Sequence, residues 1–150
     1  MNNIQRFLQN IDKEWKHLKK PSGFVADITS KSEAEHELGD VESYFRNRNQ
    51  IDVIAFNQTT GYMPLPLLWM NNESALYYSQ VYLRFFIKNY QDIEYLDYID
   101  MSLSYFKTDF KKLNGVTREQ ANIAKRIVDI IEQYIIEQEE TWDTIYEPMR

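Results

Sequence analysis

Residues 73–91 read ESALYYSQVYLRFFIKNYQ. Wound at 3.6 residues per turn, this stretch is apolar around most of its circumference. Only Glu73, Gln80, Arg84, Lys88 and Gln91 form a narrow polar stripe. A surface helix would carry a wide polar face, so the pattern predicts a helix buried on several sides and the centre of an all-α fold. Asn71 or Asn72 marks its start, after a segment in which Thr59, Thr60, Gly61, Pro64 and Pro66 forbid regular helix. Residues 57–70 are therefore expected to be an ordered loop.

Downstream, Asp92 is placed to cap a fourth helix whose core stripe is Leu96, Ile99, Leu103, Phe106 and Phe110. Lys107, Lys111 and Lys112 lie near its negative end, and Asn114-Gly115 closes it. Thr117 and Gln120 stand at capping-box spacing. Behind them Ala124, Ile127, Ile131, Tyr134, Gln138, Trp142 and Ile145 keep to one face until Pro148, which predicts a long C-terminal helix. Upstream, Ile4, Phe7, Leu8, Ile11, Trp15 and Leu18 make one stripe that ends at Lys19-Lys20-Pro21, and Ser22 to Ser30 reads as connector. Ser32 and Glu35 box a second helix carrying Ala34, Leu38, Val41 and Phe45, weakened by Gly39. Ile51 to Phe56 fits either strand or helix. The expectation is a single compact domain over residues 1–150, with about five helices.

Composition narrows the function. Seventeen Lys and Arg stand against 23 Asp and Glu, a net charge of −6. In the middle third Arg84 and Lys88 face Asp52, Glu73, Asp92, Glu94, Asp97 and Asp100, so a phosphate-tracking, nucleic-acid-binding surface is not expected. The chain has no cysteine, which removes disulfides, thiolate catalysis and most structural zinc sites. No apolar run is long enough to span a bilayer, and Met1 to Arg6 lacks the basic-then-apolar pattern of a secretion signal. These features favour a cytoplasmic protein that does not use a membrane.

The chemistry-bearing patterns fail on direction. Glu14-x-x-His17 and Glu33-x-x-His36 have the spacing that di-iron bundles use. At about 100° per residue, however, His17 lies far round from the Ile4, Ile11, Trp15 and Leu18 stripe, and His36 nearly opposite Ala34, Leu38, Val41 and Phe45. No metal and no cofactor is expected. Four glycines in no phosphate-cradling arrangement exclude a P-loop or dinucleotide fingerprint. Pairs such as Glu139 with Glu140, or Asp97 with Asp100, read as solvated charge rather than acid–base machinery, because a general acid needs burial to raise its pKa.

One surface carries a sharper reading. Projected round the fourth helix, Glu94, Asp97, Tyr98, Met101 and Tyr105 fall on the side away from its core stripe. Tyrosine buries a large area at low entropic cost and keeps a hydroxyl, while carboxylates steer a basic counterpart. The competing reading is that this side packs under the 57–70 loop or the last helix, since aromatic stripes at helical spacing are usually core. Tyr62, Trp69 and Tyr77 pose the same choice, with a buried plug the plainer role for the Tyr62–Trp69 segment.

The order Leu65-Pro66-Leu67-Leu68, then Glu73-Ser74-Ala75-Leu76-Tyr77-Tyr78 with Tyr82-Leu83, then Leu113 and Val116-Thr117-Arg118-Glu119-Gln120, covers residues 50–135. It resembles a family of small uncharacterised bacterial domains in which a Tyr-Tyr-Leu-Pro segment precedes a Leu-Thr-x-x-Gln helix start. Here Ser79-Gln80-Val81 stands where the Leu-Pro pair would fall, so the helix is expected to run straight through. The resemblance implies a helical fold and bacterial origin and transfers no functional residue.

Three functions fit. The first is a non-catalytic protein-interaction domain, most concretely an immunity protein that neutralises a toxin with a basic, nuclease-like surface. The second is a self-associating adaptor, a homodimer through the long last helix and the fourth. The third is an enzyme of unrecognised type.

Overall fold

The computed structural model describes residues 3–27, 35–53 and 65–146. Over these the fold is all-α, with five α-helices: α1 (Asn3–Trp15), α2 (Glu35–Phe45), α3 (Asn72–Asn89), α4 (Ile93–Ser104) and α5 (Arg118–Tyr146). A 3-10 turn, Pro66–Trp69, precedes α3. A π turn, Tyr105–Asp109, and a 3-10 turn, Phe110–Lys112, prolong α4. Among the described residues the single pairing of extended backbone is an isolated antiparallel bridge between Ala26 and Met70. No described helix is long and apolar enough to cross a membrane.

Helix α3 is the axis. Every residue from Ser74 to Leu83 is buried, as are Phe86 and Ile87, and the helix touches α1, α4, α5 and the 3-10 turn before it. It runs unbroken through Ser79-Gln80-Val81. Its polar stripe is narrower than expected, because Gln80 is only 3 % exposed. The Gln80 amide donates to the Tyr77 carbonyl at 2.9 Å and accepts from Arg84 at 3.3 Å, so its polar atoms are satisfied inside the protein.

The caps are built by local chemistry. Asn71 Oδ1 accepts from the Ser74 amide at 2.9 Å, and Asp92 Oδ1 from the Glu94 amide at 3.0 Å. The Thr117–Gln120 box closes in both directions, at 2.9 and 3.0 Å. Gln120 then donates its other amide proton across the fold to the Glu14 carbonyl at 2.9 Å. Gly115 takes φ +93, a conformation that L side chains rarely adopt, at the reversal into α5.

Trp15 ties three elements together. Its indole N–H lies 3.0 Å from both the Leu76 carbonyl and Ser79 Oγ on α3, and its ring stacks on Phe110 at 6.2 Å. Helix α1 ends there, before the expected Pro21 stop, and the Leu18 amide closes a turn on the Trp15 carbonyl. The expected 57–70 loop contains the 3-10 turn at its described end, where Leu65, Pro66, Leu67 and Met70 are buried and Leu68 is 52 % exposed. This part is a plug, while Tyr62 and residues 57–64 lie outside the described residues. Ile51 and Asp52 form a turn, and residues 54–56 lie outside the description, as do Ser32, Glu33 and Ala34.

Candidate interaction surface

The π turn and the neighbours of α4 decide what this helix shows to solvent. Beyond the expected stripe, the buried set includes Tyr98 (7 % exposed), Ser102 (3 %) and Tyr105 (5 %), together with Ile99, Leu103, Phe106 and Phe110. The expectation that Glu94, Asp97, Tyr98, Met101 and Tyr105 share one outer surface is corrected here: the two tyrosines are interior. Phe85 of α3 is the reason for Tyr98, since its ring meets Tyr95 edge-on at 5.2 Å and Tyr98 at 6.3 Å, covering a flank that the stripe left open. Tyr105 begins the π turn and packs edge-on against Phe106 at 5.2 Å. Burial pushes both phenols well above the ordinary tyrosine pKa, with Asp109 adding to the effect at Tyr105 and a Ser102 hydrogen bond opposing it at Tyr98.

What α4 does expose is a different set. Ile93 is 82 % and Met101 66 % exposed, and Glu94, Asp97, Asp100 and Ser104 are exposed with them. At 100° per residue these positions occupy one arc. Glu94, Asp97 and Asp100 follow at three-residue steps, the spacing at which like charges repel on a helix by a few tenths of a kcal/mol per pair, in the range of about 0.2–0.5. Glu94 recovers part of that in the first turn, near the positive end of the helix dipole. Among the described residues no Lys or Arg forms an ion pair with any of the three, whereas Asp12, Asp129 and Glu132 elsewhere are paired. The arc therefore presents uncompensated carboxylates flanked by two large apolar side chains.

This stripe is partly what the sequence indicated: Glu94, Asp97 and Met101 are on it, and Asp100 and Ile93 join them. Ile93 sits next to the Asp92 cap, three residues before Leu96, so spacing alone gave no signal of its exposure. Trp69 is half-buried, and Tyr77 is interior with its hydroxyl bonded to Gln50.

Elsewhere the polar groups are committed to structure. Glu42 of α2 accepts from the Val25 and Ala26 amides at 2.8 and 3.0 Å and straps the segment ahead of it. His17 is exposed in the turn after α1, and the side chain of His36 lies outside the described residues. Among the described residues no three His, Cys, Asp or Glu side chains gather into a metal-binding group. An open furrow of about 590 Å³ runs between α1 and α5, lined by charges of both signs, including Lys13, Glu14, Glu119 and Arg126.

No protein-family model, curated protein or solved structure matches this chain.

Proposed function

We propose that this chain is a non-catalytic protein-interaction domain of the immunity type, which binds a basic, nuclease-like toxin in a bacterial cytoplasm and covers its working surface. The observation that supports this reading is the outer arc of α4, where Glu94, Asp97 and Asp100 stand unpaired between Ile93 and Met101. A face whose only task is solubility mixes both signs of charge, so that neighbours compensate each other. Carboxylates left uncompensated beside exposed apolar groups suit a partner that brings cations to the first and an apolar surface to the second. Methionine adapts its shape to such a contact. Tyr98, buried against Phe85, is not part of the contact surface.

Asp97→Lys tests the reading. Its side chain is exposed, so the substitution is expected to leave the circular dichroism spectrum and Tm unchanged. Association with a basic partner in low salt is expected to slow by about tenfold, and the difference is expected to shrink as salt is raised. Unaltered association kinetics would remove this surface from the proposal.

A second reading has one observation in its favour. The last residue of α5 that is buried among those described is Ile131, and Ile136 beyond it is 47 % exposed, so the end of α5 offers an apolar position to a second copy. Glu137, Glu139 and Glu140 beside it are all acidic, which opposes pairing of like with like. A mass that rises with protein concentration would favour self-association over a foreign partner.

A further inference from the structure

A second site, independent of the α4 arc, lies on the other side of the π turn. Between that turn and α5 the surface sinks into a hollow of about 270 Å³. Its walls include Phe106, Phe110 and Val128, apolar side chains that are 4 %, 1 % and 3 % exposed and belong to the core. The π geometry opens the wall: the Phe110 amide bonds back five residues to the Tyr105 carbonyl instead of four, widening the backbone where it faces α5. Such single π turns recur at functional sites.

The mouth of this hollow is basic, in a chain whose net charge is −6. Lys107, Lys111 and Lys125 all line it. Lys107 is held by Glu132 at 2.9 Å and Lys125 by Asp129 at 3.0 Å. Lys111 has no carboxylate partner among the described residues and is free to meet an incoming anion. The two carboxylates at the rim are already occupied by lysines, so they leave no vacancy for a cationic ligand. The volume lies just below the roughly 300–1,000 Å³ of pockets that take drug-sized ligands, so the occupant is smaller than those.

We infer that this hollow binds a small amphiphilic carboxylate, with its hydrocarbon or aromatic body on Phe106, Phe110 and Val128 and its carboxylate at Lys111. The reading needs no covalent step and does not depend on the α4 surface.

Octanoate is the probe, titrated into the full chain by NMR, with octanol and octylammonium as uncharged and cationic comparators of the same length. The expected result is a saturable shift of the Val128 methyl and the Phe106 and Phe110 ring signals, with a Kd on the order of 1 mM. Octanol is expected to bind at least about fivefold more weakly and octylammonium more weakly still. Lys111→Gln, a change at an exposed residue, is expected to bring octanoate down to the octanol level while the remaining spectrum stays in place. Ala121→Trp, at a half-buried position of the lining, fills the hollow and should abolish binding of all three. Equal binding of the three head groups, an unchanged octanoate affinity in Lys111→Gln, or no saturable shift at these positions up to about ten times the expected Kd would each overturn the assignment.

Discussion

Trp15→Ala is expected to remove about 3–5 kcal/mol of folding stability, a large share of what a small domain possesses. Trp15 is 1 % exposed, and its removal deletes the ring stacked on Phe110 and the donor shared by the Leu76 carbonyl and Ser79 Oγ. Truncation of a buried tryptophan to alanine costs about 3–5 kcal/mol. Small domains are stable by only about 5–15 kcal/mol in total. Trp15 is the α1 side chain that bonds to α3 and stacks on the 3-10 turn after α4, so its loss weakens two contacts at once. Ser79 limits the damage, since its hydroxyl also bonds to the Leu76 carbonyl at 2.6 Å and stays satisfied. Trp15→Phe retains the apolar contact and forfeits the indole donor, so it is expected to cost roughly 1–3 kcal/mol. Urea unfolding of the two variants measures both. A Trp15→Ala protein with wild-type stability would mean that α1 is not docked as described.

Alkali is expected to unfold the protein steeply above about pH 10, the ordinary ionisation range of tyrosine. Tyr78, Tyr98 and Tyr105 are all buried, and burial is the first cause raising each of their pKa values above the ordinary one. Tyr77 and Glu42 add to the effect at Tyr78. Below the unfolded-state pKa both states keep their protons, and the contribution of these residues to stability is fully present. Between that value and the raised one the unfolded chain alone releases protons, so stability falls as pH rises, by about 1.4 kcal/mol per pH unit for each tyrosine. Three such groups together make a decline of roughly 4 kcal/mol per pH unit. Tyr105→Phe isolates one of them. Its hydroxyl is buried without a hydrogen-bond partner among the described residues, so the substitution is expected to be neutral or slightly stabilising at pH 7. Above pH 10 the decline should then be shallower by one proton. Urea unfolding between about pH 8 and 11 checks the slope, and an equal slope in the variant would place Tyr105 in solvent.

Burial of these tyrosines also marks where the sequence was legible and where it was not. The central helix, its unbroken run past Ser79, and the caps at Asn71, Asp92 and Thr117–Gln120 rest on interactions within a few residues, and local pattern carries them. The side of α4 that faces solvent does not. It is set by Phe85, which reaches Tyr98 from another helix, and by a π turn that alters the helical phase at Tyr105. Neither is written in the three-four periodicity of residues 93–104. Gln80 failed for a related reason: a polar residue on an otherwise apolar helix reads as exposed unless its partners, here the Tyr77 carbonyl and Arg84, are known. Glu94, Asp97 and Met101 of the candidate surface were therefore legible, and the tyrosines assigned to it belong to the core.

The central functional claim is that the acidic arc of α4 is where a basic partner sits. The most direct measurement places a photoreactive side chain at Met101 in one sample and at Asn47, an exposed position beyond the end of α2, in another, and crosslinks each to the partner captured by the intact chain. Efficient crosslinking is expected from position 101, to lysine- and arginine-rich peptides of the partner, and little from position 47. Equal yields from both positions, or a partner peptide that is acidic, would contradict the claim.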